Sequence, residues 1–265
     1  MTHRAGRTAG DVRRGRDERA CAPGVSVLFA SDVHLSARRP EQVDKFLAFL
    51  CGPCRDASAL YLLGDVFDEW LGDDDARAPH EQVTRALAAL GTSGVAVYFA
   101  HGNHDFLVGQ RFVQRSGCRL LEQPARIQVH GTPVLVLHGD QLCTRDRDYQ
   151  VWRRTFMDPV NQQRFLALPF AEREQRAAAL RHKSRELTRL KPDDIMDVTE
   201  SAVIEMLRTH DARHMVHGHT HRPEVHDIDV DGAAAMRAVL GDWYDDGAVL
   251  IWDERGPRLA SSAQL

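Results

Sequence analysis

Five short segments hold the residue types that ligate divalent metals: Asp32-Val33-His34, Gly64-Asp65, Gly102-Asn103-His104-Asp105, His138-Gly139-Asp140 and His217-Gly218-His219-Thr220-His221. This mixture of carboxylate, imidazole and amide donors suits Mn²⁺, Fe²⁺ or Zn²⁺ better than Ca²⁺. In a strand, residues i and i+2 face the same side, so Asp32 with His34, and His219 with His221, can each present paired ligands. Asp65 is the natural bridge, because one carboxylate can hold two cations together. The adjoining glycines allow close backbone approach. Taken singly, each segment is ordinary, since a Gly-Asp pair is mostly turn chemistry. The weight lies in finding five of them in one chain.

Ligands so far apart in sequence need a fold that brings them to one rim. Apolar runs at 25–30, 60–63 and 95–100 read as strands, with helical patterns from about Glu41, over 80–90 and over 110–114. Continuous apolar strands alternating with helices predict a sheet buried on both faces. Residues 127–129 and 134–137, joined by His130-Gly131-Thr132, read as a hairpin. Strand signals return at 214–216, 225–230, 236–240 and 249–252, whereas 145 to about 210 is helical in pattern. The prediction is an α/β protein: a four-layer α/β/β/α sandwich with a helical insertion cap at about 145–210. Most strands end on one of the ligand-bearing segments, and sites in open α/β sheets lie beyond the carboxyl ends of strands.

Composition bounds the alternatives. The chain has 265 residues, 43% hydrophobic and 27% charged, with a formal charge of −4 and 14 histidines. That length can bury a full core. No apolar run approaches the roughly 18–20 residues that span a bilayer. Mild acidity argues against a nucleic-acid binder, and nothing calls for an obligate protein partner. Residues 1–24 read as a disordered basic tail, 25–252 as one domain including the cap, and 253–265 as a C-terminal strand or tail. Five cysteines in an odd, unpatterned set predict free thiols in a reducing compartment. Cys51-Gly-Pro-Cys54 copies a dithiol motif, but it follows a helical stretch and reads as a helix stop. Residues 145–191 carry 12 basic and 6 acidic residues, with Trp152, Phe156, Phe165, Leu166, Leu168 and Phe170 adding an apolar component.

The ordered set D-x-H, G-D, G-N-H-D, H-G and G-H-T-H resembles the signature of the calcineurin-like metallophosphoesterases, across essentially 25–252. The resemblance implies one metal held by Asp32, His34, Asp65 and His221, and a second by Asp65, Asn103, His138 and His219. Two Mn²⁺ per chain are expected, other divalent metals being compatible. His104 would stabilise charge near the scissile phosphate or protonate the leaving oxygen. Asp105 would orient it by a hydrogen bond, and His217 would support rather than ligate.

Longer matches are narrower. Leu63-Gly-Asp-Val-Phe-Asp-Glu-Trp-Leu-Gly-Asp-Asp74, His138-Gly-Asp-Gln-Leu-Cys-Thr144, Asp146 with Tyr149, Ile195-Met-Asp-Val198 and His217-Gly-His-Thr-His-Arg-Pro223 resemble the UDP-2,3-diacylglucosamine diphosphatase family of lipid A synthesis. That resemblance implies water attack on the α-phosphorus, giving UMP and 2,3-diacylglucosamine 1-phosphate. It implies substrate contacts at Asn103, His104, Asp146, Tyr149, Ser184, Thr188, Lys191 and His219. Ser184, Thr188 and Lys191 are expected along one helical stripe, with Lys191 binding phosphate as a point charge. Typical members carry Gly-Asn-Arg-Asp where this chain has Gly-Asn-His104-Asp, which keeps open an alternative: another nucleotide diphosphate or a cyclic nucleotide as substrate. The apolar cap residues would line an acyl cavity or form the cap's own small core. The cap's basic balance suits an anionic membrane surface, with peripheral placement on the cytoplasmic side of the inner membrane. A non-catalytic scaffold on this fold would lose ligands, and here each expected ligand is present.

Overall fold

The computed structural model describes residues 26–189, 191–192, 195–244 and 247–265, with the backbone alone at 185, 187 and 188. The expected tail at 1–24, Val25 and Cys21 lie outside the described residues, as does the side chain of Thr188.

Strands β1 (Val27–Ala30), β2 (Ala59–Leu63), β3 (Ala96–Ala100) and β4 (Arg119–Leu121) run parallel in one sheet. β10 (Ala248–Asp253) and β11 (Gly256–Ser261) extend it antiparallel, in the order β11-β10-β1-β2-β3-β4. A second sheet holds β5 (Ala125–Val129), β6 (Thr132–Val136), β7 (His214–His217), β8 (Glu224–Val230) and β9 (Ala233–Val239), in the order β5-β6-β7-β9-β8. Two-residue periodicity explains the layering. Leu28, Ala30, Leu60, Leu62, Val97 and Phe99 face outward from the first sheet onto α1 (Pro40–Cys51), α2 (His80–Thr92) and α3 (Gln110–Ser116). Their neighbours Val27, Phe29, Ala59, Tyr61 and Leu63 face inward and meet Val134, Val136, Val216 and Ala238 of the second sheet. On the far face of that sheet, Leu135, Leu137, Met215 and Ala235 pack against Val203 and Leu207 of α7 (Glu200–Thr209). The four-layer α/β/β/α sandwich predicted from the sequence is the observed one.

The stretch 145–210 therefore divides. Its last helix, α7, is the sandwich's outer layer, while α4 (Arg147–Met157), α5 (Pro159–Leu166) and α6 (Phe170–Thr188) make the insertion. Asp146 and Asp158 cap α4 and α5 by accepting backbone N–H bonds from Tyr149 and from Val160 and Asn161. Neither α4 nor α5 buries a residue, and Val151, Val160 and Leu166 are exposed. Phe165 reaches the main core, and the Phe156 ring sits 5.2 Å from that of Trp152 and 5.7 Å from that of Phe106.

The loop after β2 anchors this insertion. Arg173 of α6 is buried, pairs with Asp74 and donates to the Leu71 carbonyl at 2.5 Å. Arg77 joins Asp75 at 2.6 Å, Glu69 at 3.1 Å and Glu174 of α6 at 3.2 Å. The acidic run Asp73-Asp74-Asp75 is thus a docking element, with Asp73 accepting the backbone N–H groups of Gly109, Arg111 and Phe112 at the start of α3.

Cys51 closes α1 at its carboxyl end, not at the amino end where a thiolate is stabilised. Cys54 is buried, and burial pushes its thiol well above the ordinary range. The Cys-Gly-Pro-Cys segment is a helix stop, as its position in the sequence indicated.

Candidate metal centre

Every ligand-bearing segment lies just past a strand's carboxyl end: after β1, β2 and β3 of one sheet and after β6 and β7 of the other. The backbone there leaves the extended conformation abruptly. Asp32 (φ 54°), His34 (φ 50°), Asp65 (φ 52°), His219 (φ 71°) and His221 (φ 56°) all adopt left-handed conformations. Such residues cost on the order of 1–3 kcal/mol each and persist where the surroundings over-determine them. Simple strand alternation therefore does not pair Asp32 with His34 or His219 with His221; left-handed turns do. The turns are pinned by Asp32 N–H donating to Gly64 O (3.1 Å), His34 N–H to Asp65 O (2.9 Å) and Gly218 N–H to His138 O (2.8 Å). Gly102 lies so close to Asp65 that a Cβ there would strike the carboxylate, which explains glycine at this position.

The side chains converge. Asp65 Oδ2 lies 3.6 Å from His138 Nε2 and 4.0 Å from both His34 Nε2 and His104 Nε2. His34 Nε2 and His221 Nε2 are 3.3 Å apart. Asn103 Oδ1 meets His138 Nε2 at 3.0 Å, and the His219 ring centroid is 5.1 Å from that of His138. Ligand atoms of Asp32, His34 and His221 lie within 4.8 Å of one another, as do those of Asp32, Asp65 and His138. Asp32 decides the fit. It is fully buried, and its Oδ2 accepts from the Ser31 hydroxyl (2.5 Å) and from the His219 N–H (2.9 Å). Its Oδ1 has no hydrogen bond and points into the cluster, 3.3 Å from His221 Nε2 and off the hydrogen-bond axis. A buried carboxylate oxygen without a donor, surrounded by imidazole nitrogens, is the arrangement a divalent cation resolves. The site fits divalent metal binding.

Charge follows the same logic. Burial pushes His34 and His219 down to about 4, so both are neutral donors at neutral pH. Burial also disfavours the charged form of His138, but the carboxylates of Asp65, Asp32 and Asp140 outweigh it and raise this imidazole to about 9. Asp65 feels burial in the raising direction, yet the imidazoles of His138, His104 and His34 hold it below the usual carboxylate range.

Around these stand the groups that aim them. His138 Nδ1 meets the Leu63 carbonyl at 2.9 Å. Gln123 bridges the His138 N–H (2.5 Å) and the His101 carbonyl (2.6 Å). His221 Nδ1 faces Asp242 Oδ2 at 3.2 Å. His217 is buried, pushed down to about 3 by burial, and bonded to the Gly218 carbonyl, a supporting position rather than a ligand. The sequence reading missed Gln123 and Asp242. Asp242 had a readable sign, Gly241-Asp242 just after β9, while Gln123 had none.

Two expected arrangements are corrected. Asp105 does not orient His104. Its carboxylate turns away from the centre and accepts backbone N–H bonds from Gly102 (2.8 Å), Val66 (2.8 Å), Asp65 (3.2 Å) and Phe67 (3.4 Å). The His104 ring is held instead through Nδ1, 2.9 Å from the Asp68 carbonyl. Nor does Lys191 continue a stripe with Ser184 and Thr188. α6 ends at Thr188, and Lys191 precedes Pro192, which disfavours helical backbone. Lys191 Nζ instead pairs with both oxygens of Asp146, at 2.8 and 2.6 Å. Ser184 is exposed on α6. The Tyr149 hydroxyl donates to Asp140 Oδ2 at 2.9 Å, and its ring is 5.7 Å from that of His219, so α4 leans directly on the centre.

The calcineurin-like phosphoesterase family model matches residues 25–223. A UDP-2,3-diacylglucosamine hydrolase of Aeromonas hydrophila subsp. hydrophila is 47% identical over 241 residues, covering 91% of this chain and all of the relative. Proteins of the same name from Stutzerimonas stutzeri and Pseudomonas aeruginosa are 46% and 45% identical, covering 87% and 89% of this chain and 96% and 98% of their own lengths. With its ligand-bearing turns intact and matched along nearly its whole length, the chain is a hydrolase that belongs to the calcineurin-like phosphoesterases and, within them, to the UDP-2,3-diacylglucosamine hydrolase family.

Proposed function

We propose that the chain hydrolyses the pyrophosphate bond of UDP-2,3-diacylglucosamine by water attack on the α-phosphorus, yielding UMP and 2,3-diacylglucosamine 1-phosphate for lipid A biosynthesis. The observation that carries this reading is the convergence of Asp32, His34, Asp65, His138 and His221 on one space, in a chain whose relatives are named for that substrate. Asp32, His34, Asp65 and His221 would hold one Mn²⁺, and Asp65, Asn103, His138 and His219 a second. When bound, two such cations lower the pKa of a water and neutralise phosphoryl oxygens.

The chain's own groups supply the rest. Burial disfavours the charged form of His104, but the Asp65 carboxylate and the Asp68 carbonyl outweigh it and raise the imidazole above its ordinary value. With Nδ1 committed to Asp68, Nε2 is the atom that donates to a phosphoryl oxygen or hands a proton to the departing one. Asp105 fixes the turn that carries Asp65. Asp146 and Lys191 neutralise each other until substrate separates them, Asp146 accepting from the sugar and Lys191 meeting phosphate. Ser184 and Thr188 on α6, and Tyr149 beside His219, complete the proposed substrate contacts. Hydrolysis in ¹⁸O-water tests the chemistry: the label enters UMP, and label in the lipid phosphate instead overturns attack at the α-phosphorus.

The exposed apolar side chains of α4 and α5 in a basic insertion favour acyl chains and an anionic surface. Among the described residues no helix is long and apolar enough to cross a membrane, and the reading is peripheral attachment at the cytoplasmic side of the inner membrane. Co-sedimentation with anionic liposomes at physiological salt is expected. Its failure even with substrate lipid present removes the membrane part of the proposal.

A further inference from the structure

The proposed substrate has two unlike ends, an acylated sugar and a uridine, and in-line displacement at the phosphorus between them makes the ends project apart. One side of the centre is taken by the insertion, with Tyr149 beside His219 and the Asp146–Lys191 pair beyond it. Another part of the centre is bounded by His34 and His221. It carries two groups that the hydrolytic mechanism leaves without a role.

The Tyr244 ring lies parallel to that of His34, with centroids 5.9 Å apart and planes 8° apart, and 6.3 Å from that of His221. Although it touches two proposed ligands, Tyr244 is 50% exposed. The Arg39 guanidinium carbon sits 4.5 Å from the Tyr244 centroid. Arg39 Nη2 is 3.7 Å from Asp68 Oδ1, and Asp68 is the residue whose carbonyl holds His104. Arg39 is also the N-cap residue of α1, with its backbone restricted by Pro40. The guanidinium thus lies over the face of the phenol ring, in a partly exposed stack that His34 and Asp68 hold in place, and the outer face of the guanidinium is the planar surface it offers.

Such a surface is suited to a planar base. Aromatic rings and guanidinium planes stack nucleobases, and guanidinium N–H groups donate to carbonyl oxygens such as the two on uracil. The geometry points to Tyr244 and Arg39 as the uridyl subsite, binding the base of the nucleotide whose phosphate sits at the centre. This rests on the hydrolase reading above and adds where the nucleotide end is held.

The test is calorimetric titration of the Mn²⁺-loaded full chain with UMP, and separately with inorganic phosphate. Tyr244→Ala is expected to weaken UMP binding about tenfold or more, within the range that loss of one base–aromatic stack produces, and to leave phosphate binding unchanged. Arg39→Ala weakens UMP in the same way, and Tyr244→Phe retains wild-type affinity, because the ring and not the hydroxyl carries the guanidinium. Three results overturn the subsite: UMP bound by wild type no more tightly than phosphate, UMP affinity unaffected by both alanine variants, or UMP and phosphate affinities falling together, which would make Tyr244 a support for His34 alone. Failure of the hydrolase reading is separable. There, wild type binds UMP through Tyr244 and releases none from the lipid nucleotide.

Discussion

Asp65→Ala is expected to lower turnover by about 1,000-fold or more, equivalent to roughly 4 kcal/mol of transition-state stabilisation. Asp65 is buried at the meeting point of both proposed cation sites, with His138 at 3.6 Å and His34 and His104 at 4.0 Å. Its Oδ1 also accepts the His104 N–H at 2.8 Å, so it ties the turn after β3 to the turn after β2. Losing the carboxylate removes the proposed shared ligand and the charge that balances three imidazoles in one step. The check is steady-state turnover with bound Mn²⁺ measured in the same sample. A metal-loaded variant with wild-type turnover contradicts the assignment of Asp65 as the bridge.

The second large effect falls on a residue that touches no reacting atom. Asp105→Ala is expected to cost about 1–3 kcal/mol of stability or more, the range for leaving buried hydrogen-bond donors without their acceptor. It is expected also to weaken metal binding by about 10–100-fold, as losses of groups that orient ligands do. Its carboxylate collects the N–H groups of Asp65, Val66, Phe67 and Gly102, binding the β2 and β3 turns into one unit. Without it four buried donors lose their acceptor, at the place where Asp65 is held in a left-handed conformation. Burial and the neighbouring Asp65 carboxylate push Asp105 up to about 7, against the pull of those N–H donors. Urea unfolding of metal-free protein and Mn²⁺ titration of the folded variant measure the two effects. A variant as stable as wild type would show that the turns hold themselves.

The candidate ligands stood out because each is a side chain of distinctive chemistry placed just after an apolar strand, and strands buried on both faces announce themselves as unbroken apolar runs. The central strands and the three helices on the first sheet, two long and one short, followed from the same periodicities. What escaped the sequence shares a physical cause: it is decided by backbone. Asp105 serves four N–H groups, and backbone donors leave no trace in residue identity. The left-handed turns at Asp32, His34, Asp65, His219 and His221 are uncommon for any residue but glycine, although Asp and His are among the types that tolerate them best, so the sequence pattern alone argued for simple alternation. β4 is three residues ending an edge, whereas β11 falls within the C-terminal strand or tail expected at 253–265. The place of α7 depends on which sheet its Val203 and Leu207 meet, a tertiary choice. Lys191 differs, because Pro192 stood in the sequence as the sign that the helix could not reach it.

The most direct test is UMP release by the purified, Mn²⁺-loaded chain from UDP-2,3-diacylglucosamine, set against simple UDP-sugars and cyclic AMP. Efficient release from the acylated nucleotide sugar, with little cleavage of the others, is the predicted result. Preferential cleavage of a non-acylated UDP-sugar or of the cyclic nucleotide would contradict it.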